Sequence, residues 1–268
     1  MNNSNNLTIL IDSFDGYSDL WEYFFKIFDM FWNDCPYPKK LVSNEKSFYG
    51  IETIKTGPEI DWVSRTIKAI NEISTPYIML LLEDYFFGNI INSEKIYDLM
   101  ESIVENDYNY VRLIEIPKSR TKRKNNTMCP IYKNEEYGIN LQASIWKVSF
   151  LKDILFQIKN GSAWDFEVYL LKKTLKESKV EFNGCYTLKG NPFKFHNGVL
   201  KGKWFRREIK YYKRFGIEIN SINRGVLGRI EEKKFIFSQW IKNILPYWFR
   251  RIVKKILKKF GFKFVSDL

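Results

Sequence analysis

Leu7–Ile11 (LTILI) is an unbroken apolar run that opens onto Asp12-Ser13-Phe14-Asp15-Gly16. That is the pattern of a buried strand ending in a polar loop. From Ser18 to Trp32 the period changes: Leu20, Tyr23, Phe24, Ile27, Phe28 and Phe31 share one face of a helix. Lys40–Val42 and Gly50–Ile54 read as short strands, and Asp61 stands where it caps a helix running to Ile73, with Val63, Ile67, Ile70 and Ile73 at helical spacing. The most apolar strand follows, Pro76 to Leu82, and it ends abruptly in Glu83-Asp84.

Beyond that junction the pattern predicts a helix over Ser93–Asn106, a strand over Tyr110–Ile116, a basic loop over Lys118–Lys124 and a strand over Gly138–Trp146. A helix over Val148–Lys159 precedes Gly161-Ser-Ala-Trp-Asp165-Phe-Glu167, where Asp165 is read as the cap of a helix to Lys176. Lys179–Cys185 and Pro192–Phe195 read as strands, and no internal repeat is visible. Strands and helices alternate through the first 110 residues, which predicts an α/β fold with a parallel sheet, and such sheets bind ligands beyond the carboxyl ends of their strands. The Asp12–Asp15 loop and Glu83-Asp84 lie at two such ends, so they are expected to face one crevice.

Composition places these elements in a folded protein: of 268 residues 45% are apolar and 17% aromatic, which excludes a disordered tail or linker. The net charge of +12 suggests a polyanionic partner until it is divided along the chain. Residues 201–268 hold 19 Lys+Arg and 5 Asp+Glu, or +14, leaving 24 and 26, or −2, for residues 1–200. The basicity belongs to the tail. Cys35, Cys129 and Cys185 are widely spaced and lack a C-x-x-C, so reduced thiols are expected rather than a disulfide framework or a cysteine zinc site. The start of the chain has no basic region ahead of its short apolar stretch, so no signal peptide is expected, and no run approaches the roughly 20 apolar residues of a membrane-spanning helix.

An apolar strand that ends in two carboxylates suits a hard cation such as Mg²⁺ or Mn²⁺ shared with substrate phosphates, although Glu-Asp also suits a solvated turn. The stretch Arg65-Thr-Ile-Lys-Ala-Ile-Asn-Glu-Ile-Ser-Thr-Pro-Tyr-Ile-Met-Leu-Leu-Leu-Glu83-Asp84-Tyr85 resembles the helix–strand–acidic signature of GT-A glycosyltransferases. The phrase YSDLWEYFF…CPYPKKLVSN…LLLEDYFF is similar to bacterial glycosyltransferases of surface-polysaccharide clusters, and the resemblance covers residues 5–205. It implies a GT-A-like (Rossmann-like) mixed sheet flanked by helices as a domain over 1–205. It also implies a nucleotide-sugar donor, contacted by Asp12, Ser13, Asp15 and Arg65 and, at the diphosphate, by Glu83 and Asp84. Asp84 is the implied ligand of a divalent cation, Mn²⁺ or Mg²⁺, although Glu83-Asp84-Tyr85 departs from Asp-x-Asp.

Inverting sugar transfer needs a carboxylate that takes the proton of the acceptor hydroxyl, and GT-A enzymes place one at a helix N-terminus after the acceptor-side strands. Asp165 and Glu167 compete for that role. An Asp165 that accepts backbone N–H bonds is held ionised and is a weak base, so Glu167 is the expected one. A satisfied helix N-terminus explains both residues without catalysis. His196, the one histidine, stands eight residues before Trp204, a spacing shared with the H-x-x-G-x-x-K-P-W motif of glycogenin-like retaining transferases. It is a candidate second metal ligand, and Lys201 and Lys203 are candidate counter-charges to a leaving diphosphate. A packed or surface histidine is the plainer reading.

Residues 206–268 form the basic tail. From Trp248 to Phe260 apolar pairs alternate with Arg250-Arg251, Lys254-Lys255 and Lys258-Lys259, the description of an amphipathic helix lying on anionic lipid over 235–260. A helix packed on its own domain is the alternative. The resulting expectation is a cytoplasmic glycosyltransferase, peripheral on the inner face of the membrane, moving a sugar to a lipid-linked or oligosaccharide acceptor by inversion. No nucleic-acid partner is expected. The competing readings are a nucleic-acid-binding protein or nuclease that uses the tail on phosphates, and a catalytically dead glycosyltransferase-like scaffold.

Overall fold

In a computed structural model the described residues are 3–58, 61–118, 128–133, 135–175 and 181–244. The chain divides into two compact units, residues 1–196 and 197–268. The boundary falls ahead of the sequence-based one at 205/206.

The first unit is built on an eight-stranded mixed sheet. In chain order its elements are β1 (Leu7–Asp12), α1 (Ser18–Phe31), β2 (Lys39–Ser43), β3 (Glu52–Lys55), α2 (Trp62–Asn71) and β4 (Tyr77–Leu82). They are followed by the two-residue β5 (Tyr85–Phe86), α3 (Ser93–Glu105), β6 (Tyr110–Arg112), β7 (Met128–Tyr132), β8 (Ser144–Lys147), α4 (Val148–Ile158), α5 (Ala163–Leu175) and β9 (Glu181–Leu188). The sheet runs β3-β2-β1-β4-β8-β6-β9-β7. Its first four strands are parallel, as the sequence pattern predicts, and β8 then lies antiparallel between β4 and β6. Every residue of β1 is buried, the signature of a central strand covered on both faces.

Helices α2, α4 and α5 close one face over Leu10, Ile78, Leu80 and Trp146, with Val63, Ile70, Leu151 and Phe166 among the packed side chains. An aromatic cluster joins α1 to the segment after β4: Phe24 and Phe86 lie 6.4 Å apart, Phe28 and Phe87 5.3 Å apart. Asp61 caps α2 as expected, its Oδ1 accepting the Ser64 N–H at 3.1 Å and also the Gly161 N–H at 2.8 Å. One carboxylate thus fixes the start of α2 against the turn ahead of α5.

The second half of this unit departs from the pattern. The strand expected over 110–116 stops at Arg112, and the one expected over 138–146 begins at Ser144. The reason is Arg112, whose fully buried guanidinium takes the carbonyls of Tyr137, Gly138 and Pro117 and holds both flanking stretches as loops. Pro192–Phe195 is a turn rather than a strand, closed by the Asn191 carboxamide on the Phe195 backbone. The sequence did not foreshadow β7, which pairs antiparallel with β9 through a bulge between Pro130 and Tyr132. The basic loop lies outside the described residues from 119 onward.

In the second unit Val199–Leu200 pairs antiparallel with Lys203–Trp204 around Lys201 and Gly202, which have φ of 52° and 77°. Two left-handed residues in sequence are what a tight hairpin of this hand requires. Helices α6 (Arg206–Lys213) and α7 (Arg229–Ile244) follow, and buried Glu232 on α7 accepts the N–H of Arg207 at 3.0 Å. Ile230 and Phe237 on α7 are exposed. The helix expected over 248–260 lies outside the described residues. Among the described residues no helix is long and apolar enough to cross a membrane.

Candidate active site

The register that pairs Asp12 with Leu82 sets the end of β1 beside the end of β4, so Asp12, Glu83 and Asp84 come from neighbouring carboxyl ends. Asp12 is buried and both of its oxygens are engaged: Oδ2 accepts the Trp62 indole N–H at 2.6 Å and Oδ1 pairs with the Arg65 guanidinium at 3.3 Å. Its role here is to hold Arg65. The helix face that carries Trp62 also carries Arg65 three residues on, so α2 delivers both to the same carboxylate. Arg65 Nε is buried without a hydrogen-bond partner, and the guanidinium stands 5.7 Å from the Phe14 ring.

Glu83 is buried. Burial pushes its carboxyl well above the usual carboxylate range, Asp84 and Asp12 push the same way, and Arg65 opposes them. Asp84 is half-buried and so the more accessible of the pair. Tyr85, next in sequence, has its phenol raised by burial and by the negative charge of both Asp84 and Glu167. That one side chain lies in the field of the acidic strand end and of α5 together.

Glu167 sits in the second turn of α5, and its Oε1 accepts the Leu141 backbone N–H at 3.1 Å. Burial raises its carboxyl and the Leu141 N–H works against the rise. Asp165 is placed differently from the sequence reading. Ser162 precedes the helix and Asp165 is its reciprocal partner: the Ser162 N–H and hydroxyl donate to Asp165 Oδ2 at 2.7 and 2.6 Å, and the Asp165 N–H donates to Ser162 Oγ at 3.2 Å. This capping box holds the exposed Asp165 below the usual carboxylate range.

The first-strand loop divides into inward and outward roles. Ser13 is buried and its hydroxyl accepts the Trp21 indole N–H at 2.7 Å. The Asp15 carboxylate accepts backbone N–H groups of Asn44, Glu45 and Lys46, while its own N–H donates to Asn44 Oδ1 at 3.1 Å. Asn44, just past β2, keeps a buried Nδ2 without a partner. His196 packs against Gly88, where an added Cβ would fall 2.6 Å from its Nε2. Lys201 and Lys203 belong to the second unit, and the exposed Lys201 ammonium stands 3.8 Å from Glu231.

Among the described residues no three His, Cys, Asp or Glu side chains stand together as a metal shell. The described residues therefore do not form a set that encloses a cation, and of the acidic pair Asp84 is the carboxylate open to solvent. Sequence reasoning passed over Asn44, Trp62, Tyr85 and Tyr137. Tyr85 adjoins the acidic pair in sequence, while the others declare themselves only through partners far along the chain.

Four parallel strands in the order β3-β2-β1-β4, an antiparallel β8 beyond them and an acidic pair at the carboxyl end of β4 make this a GT-A-like mixed α/β fold. No protein-family model matches the chain, and no curated protein does. Among solved structures it is similar to S. aureus TarS 1-349 in complex with UDP-GlcNAc, with a TM-score of 0.48 at 10% identity over 74% of this chain and 60% of that one. It is also similar to the CMP:2-keto-3-deoxy-manno-octonic acid synthetase complexed with CTP (TM-score 0.41, 10% identity, 69% and 89% covered). A third is the bifunctional IspDF from Campylobacter jejuni (TM-score 0.37, 12% identity, 69% and 50% covered). The chain spans about 60% of the TarS fragment it matches. These are likenesses of fold.

Proposed function

We propose that the protein is an inverting glycosyltransferase that moves a sugar from a nucleotide-sugar donor to a saccharide acceptor. The observation that carries this reading is the register that sets Asp12 beside the end of β4, with Arg65 held on Asp12 next to Glu83-Asp84, while Glu167 is fixed by the Leu141 N–H. A transfer site needs this pairing of a carboxylate at the diphosphate with a second one at the acceptor hydroxyl. Two buried donors lacking partners, Arg65 Nε and Asn44 Nδ2, lie beyond the ends of β1 and β2, where an anionic or carbonyl-bearing ligand would satisfy them.

In the reaction Glu167 takes the proton of the acceptor hydroxyl as that oxygen bonds to the anomeric carbon and the bond from that carbon to the diphosphate oxygen breaks. The electron pair leaves with the nucleoside diphosphate. A carboxyl raised by burial is a stronger base than an exposed one, which favours Glu167 over the capped Asp165. Arg65, held by an Asp12 that Trp62 orients, faces the diphosphate as a fixed charge. Asp84 would hold a Mn²⁺ or Mg²⁺ ion, which neutralises charge on the leaving group when bound. The basic, apolar pattern of 235–260 supports peripheral attachment to an anionic membrane and, with it, a lipid-linked acceptor.

The test is a thermal-shift series with UDP-, GDP- and CMP-sugars, with and without Mn²⁺, followed by donor turnover in Glu167→Gln and Asp84→Asn. Stabilisation by one nucleotide class and loss of turnover in both variants are expected. Full activity in both would overturn the assignment.

A further inference from the structure

Among the described residues five non-glycine positions have positive φ: Asp107, Tyr137, Lys159, Lys194 and Lys201. Four carry Asp or Lys. Tyr137, at 56°, is the aromatic one, and a bulky side chain in the left-handed region is strained where glycine would be at ease. Strain of this kind persists only where the surroundings impose it.

Here they do. Arg112 is fully buried, and its Nη1 donates to the carbonyls of Tyr137 at 3.2 Å and Gly138 at 2.8 Å. Asn140 Nδ2 donates to the same Tyr137 carbonyl at 3.0 Å, and the Asn140 carbonyl accepts the Tyr110 hydroxyl at 3.0 Å. One residue further, the Leu141 N–H holds Glu167. The loop that strains Tyr137 is therefore the loop that positions Glu167, and the half-buried phenol lies within the electrostatic reach of Glu167 and Glu136.

The geometry points to Tyr137 as the aromatic platform of a saccharide subsite beside Glu167, stacking on the C–H face of the acceptor pyranose. A phenol pairs an apolar face with a polar tip, and a pyranose pairs an apolar C–H face with a rim of hydroxyls. A neighbouring carboxylate accepts from that rim. This subsite rests on the reading of Glu167 as the group that takes the acceptor's proton.

Saturation-transfer NMR with methyl pyranosides (glucoside, galactoside, mannoside and N-acetylglucosaminide) as probes tests it on the full chain. At least one is expected to draw signal from the wild type, to keep it in Tyr137→Phe, and to bind about tenfold more weakly in Tyr137→Ala, the loss typical of an aromatic anchor. Cooperative thermal melts show that each variant is folded, and Tyr137→Asn, which tolerates positive φ, repeats the test without the strain. No binding by the wild type, or wild-type signal in both the alanine and asparagine variants, would overturn the subsite. Nucleotide stabilisation is read separately, so a chain that binds nucleotide but is indifferent to Tyr137 fails this inference alone, and one that binds no nucleotide fails the transferase reading.

Discussion

The indole of Trp62 donates to Asp12 Oδ2 at 2.6 Å, and that bond leaves the other oxygen of Asp12 turned to Arg65. Trp62 is also wedged edge-on against Phe166 at 5.4 Å, so its direction is set by the core as well as by Asp12. A buried carboxylate at the mouth of the site is thus fixed by packing, and through it the one guanidinium that α2 contributes.

Trp62→Phe keeps most of the packing and removes the donor. A buried acceptor left without its partner costs about 1–3 kcal/mol, read as a fall in the denaturation midpoint. Nucleotide-induced stabilisation is expected to fall further than the melting temperature alone explains, because Asp12 is then free to turn from Arg65. An unchanged nucleotide response would show that Arg65 needs no such support.

Glu167→Gln is expected to abolish transfer and to raise the melting temperature at neutral pH. The sign follows from burial: the folded-state carboxyl is raised above its unfolded value, so it favours folding fully below the unfolded pKa and loses that contribution as pH rises through the folded one. As pH rises the wild type loses a contribution that glutamine does not depend on, and glutamine still accepts the Leu141 N–H. The direction of the same shift moves the acidic limb of the transfer rate upward from that of a free glutamate. A limb at or below the ordinary glutamate value would contradict that direction.

Asp61→Ala removes the acceptor of both the Ser64 and the Gly161 N–H. Loss of an N-cap costs about 1 kcal/mol, up to about 2. The second bond should put this variant at the upper end, measured by urea unfolding. Asp165→Ala breaks only a local capping box on an exposed turn and should cost less.

How far the sequence carried the fold depended on where each partner lies. β1 to β4 and the helices between them were legible because unbroken apolar strands and a 3.6-residue period depend only on neighbours, and because Asp61 precedes its helix by one residue. The shared mouth of Asp12 and Glu83-Asp84 followed from parallel order alone. Beyond Arg112 the strands are short and their bounds are set by a buried cation that no periodicity announces. Asp165 does accept a backbone N–H, as its place ahead of a helix suggested, but Ser162 is the residue at the cap. Trp62, 50 residues from Asp12, could be found only from the contact itself.

Arg112 spends its donors on Thr187 Oγ1, on three backbone carbonyls and on Glu135 Oε1 at 3.4 Å, all without exposure to solvent. Arg112→Met preserves length and apolar volume but removes one side of the buried Arg112–Glu135 ion pair, a loss that costs about 3–5 kcal/mol. Arg112→Met with Glu135→Gln removes the other side and is expected to recover part of the stability. It should not recover activity, because the Gly138 carbonyl has lost its donor, the Tyr137 carbonyl keeps only Asn140, and the loop that presents Leu141 to Glu167 is less firmly fixed. Unfolding midpoints and turnover measured on the three proteins separate the two effects. If the double variant regains both together, Arg112 serves only to neutralise Glu135, and the loop holds Glu167 without it.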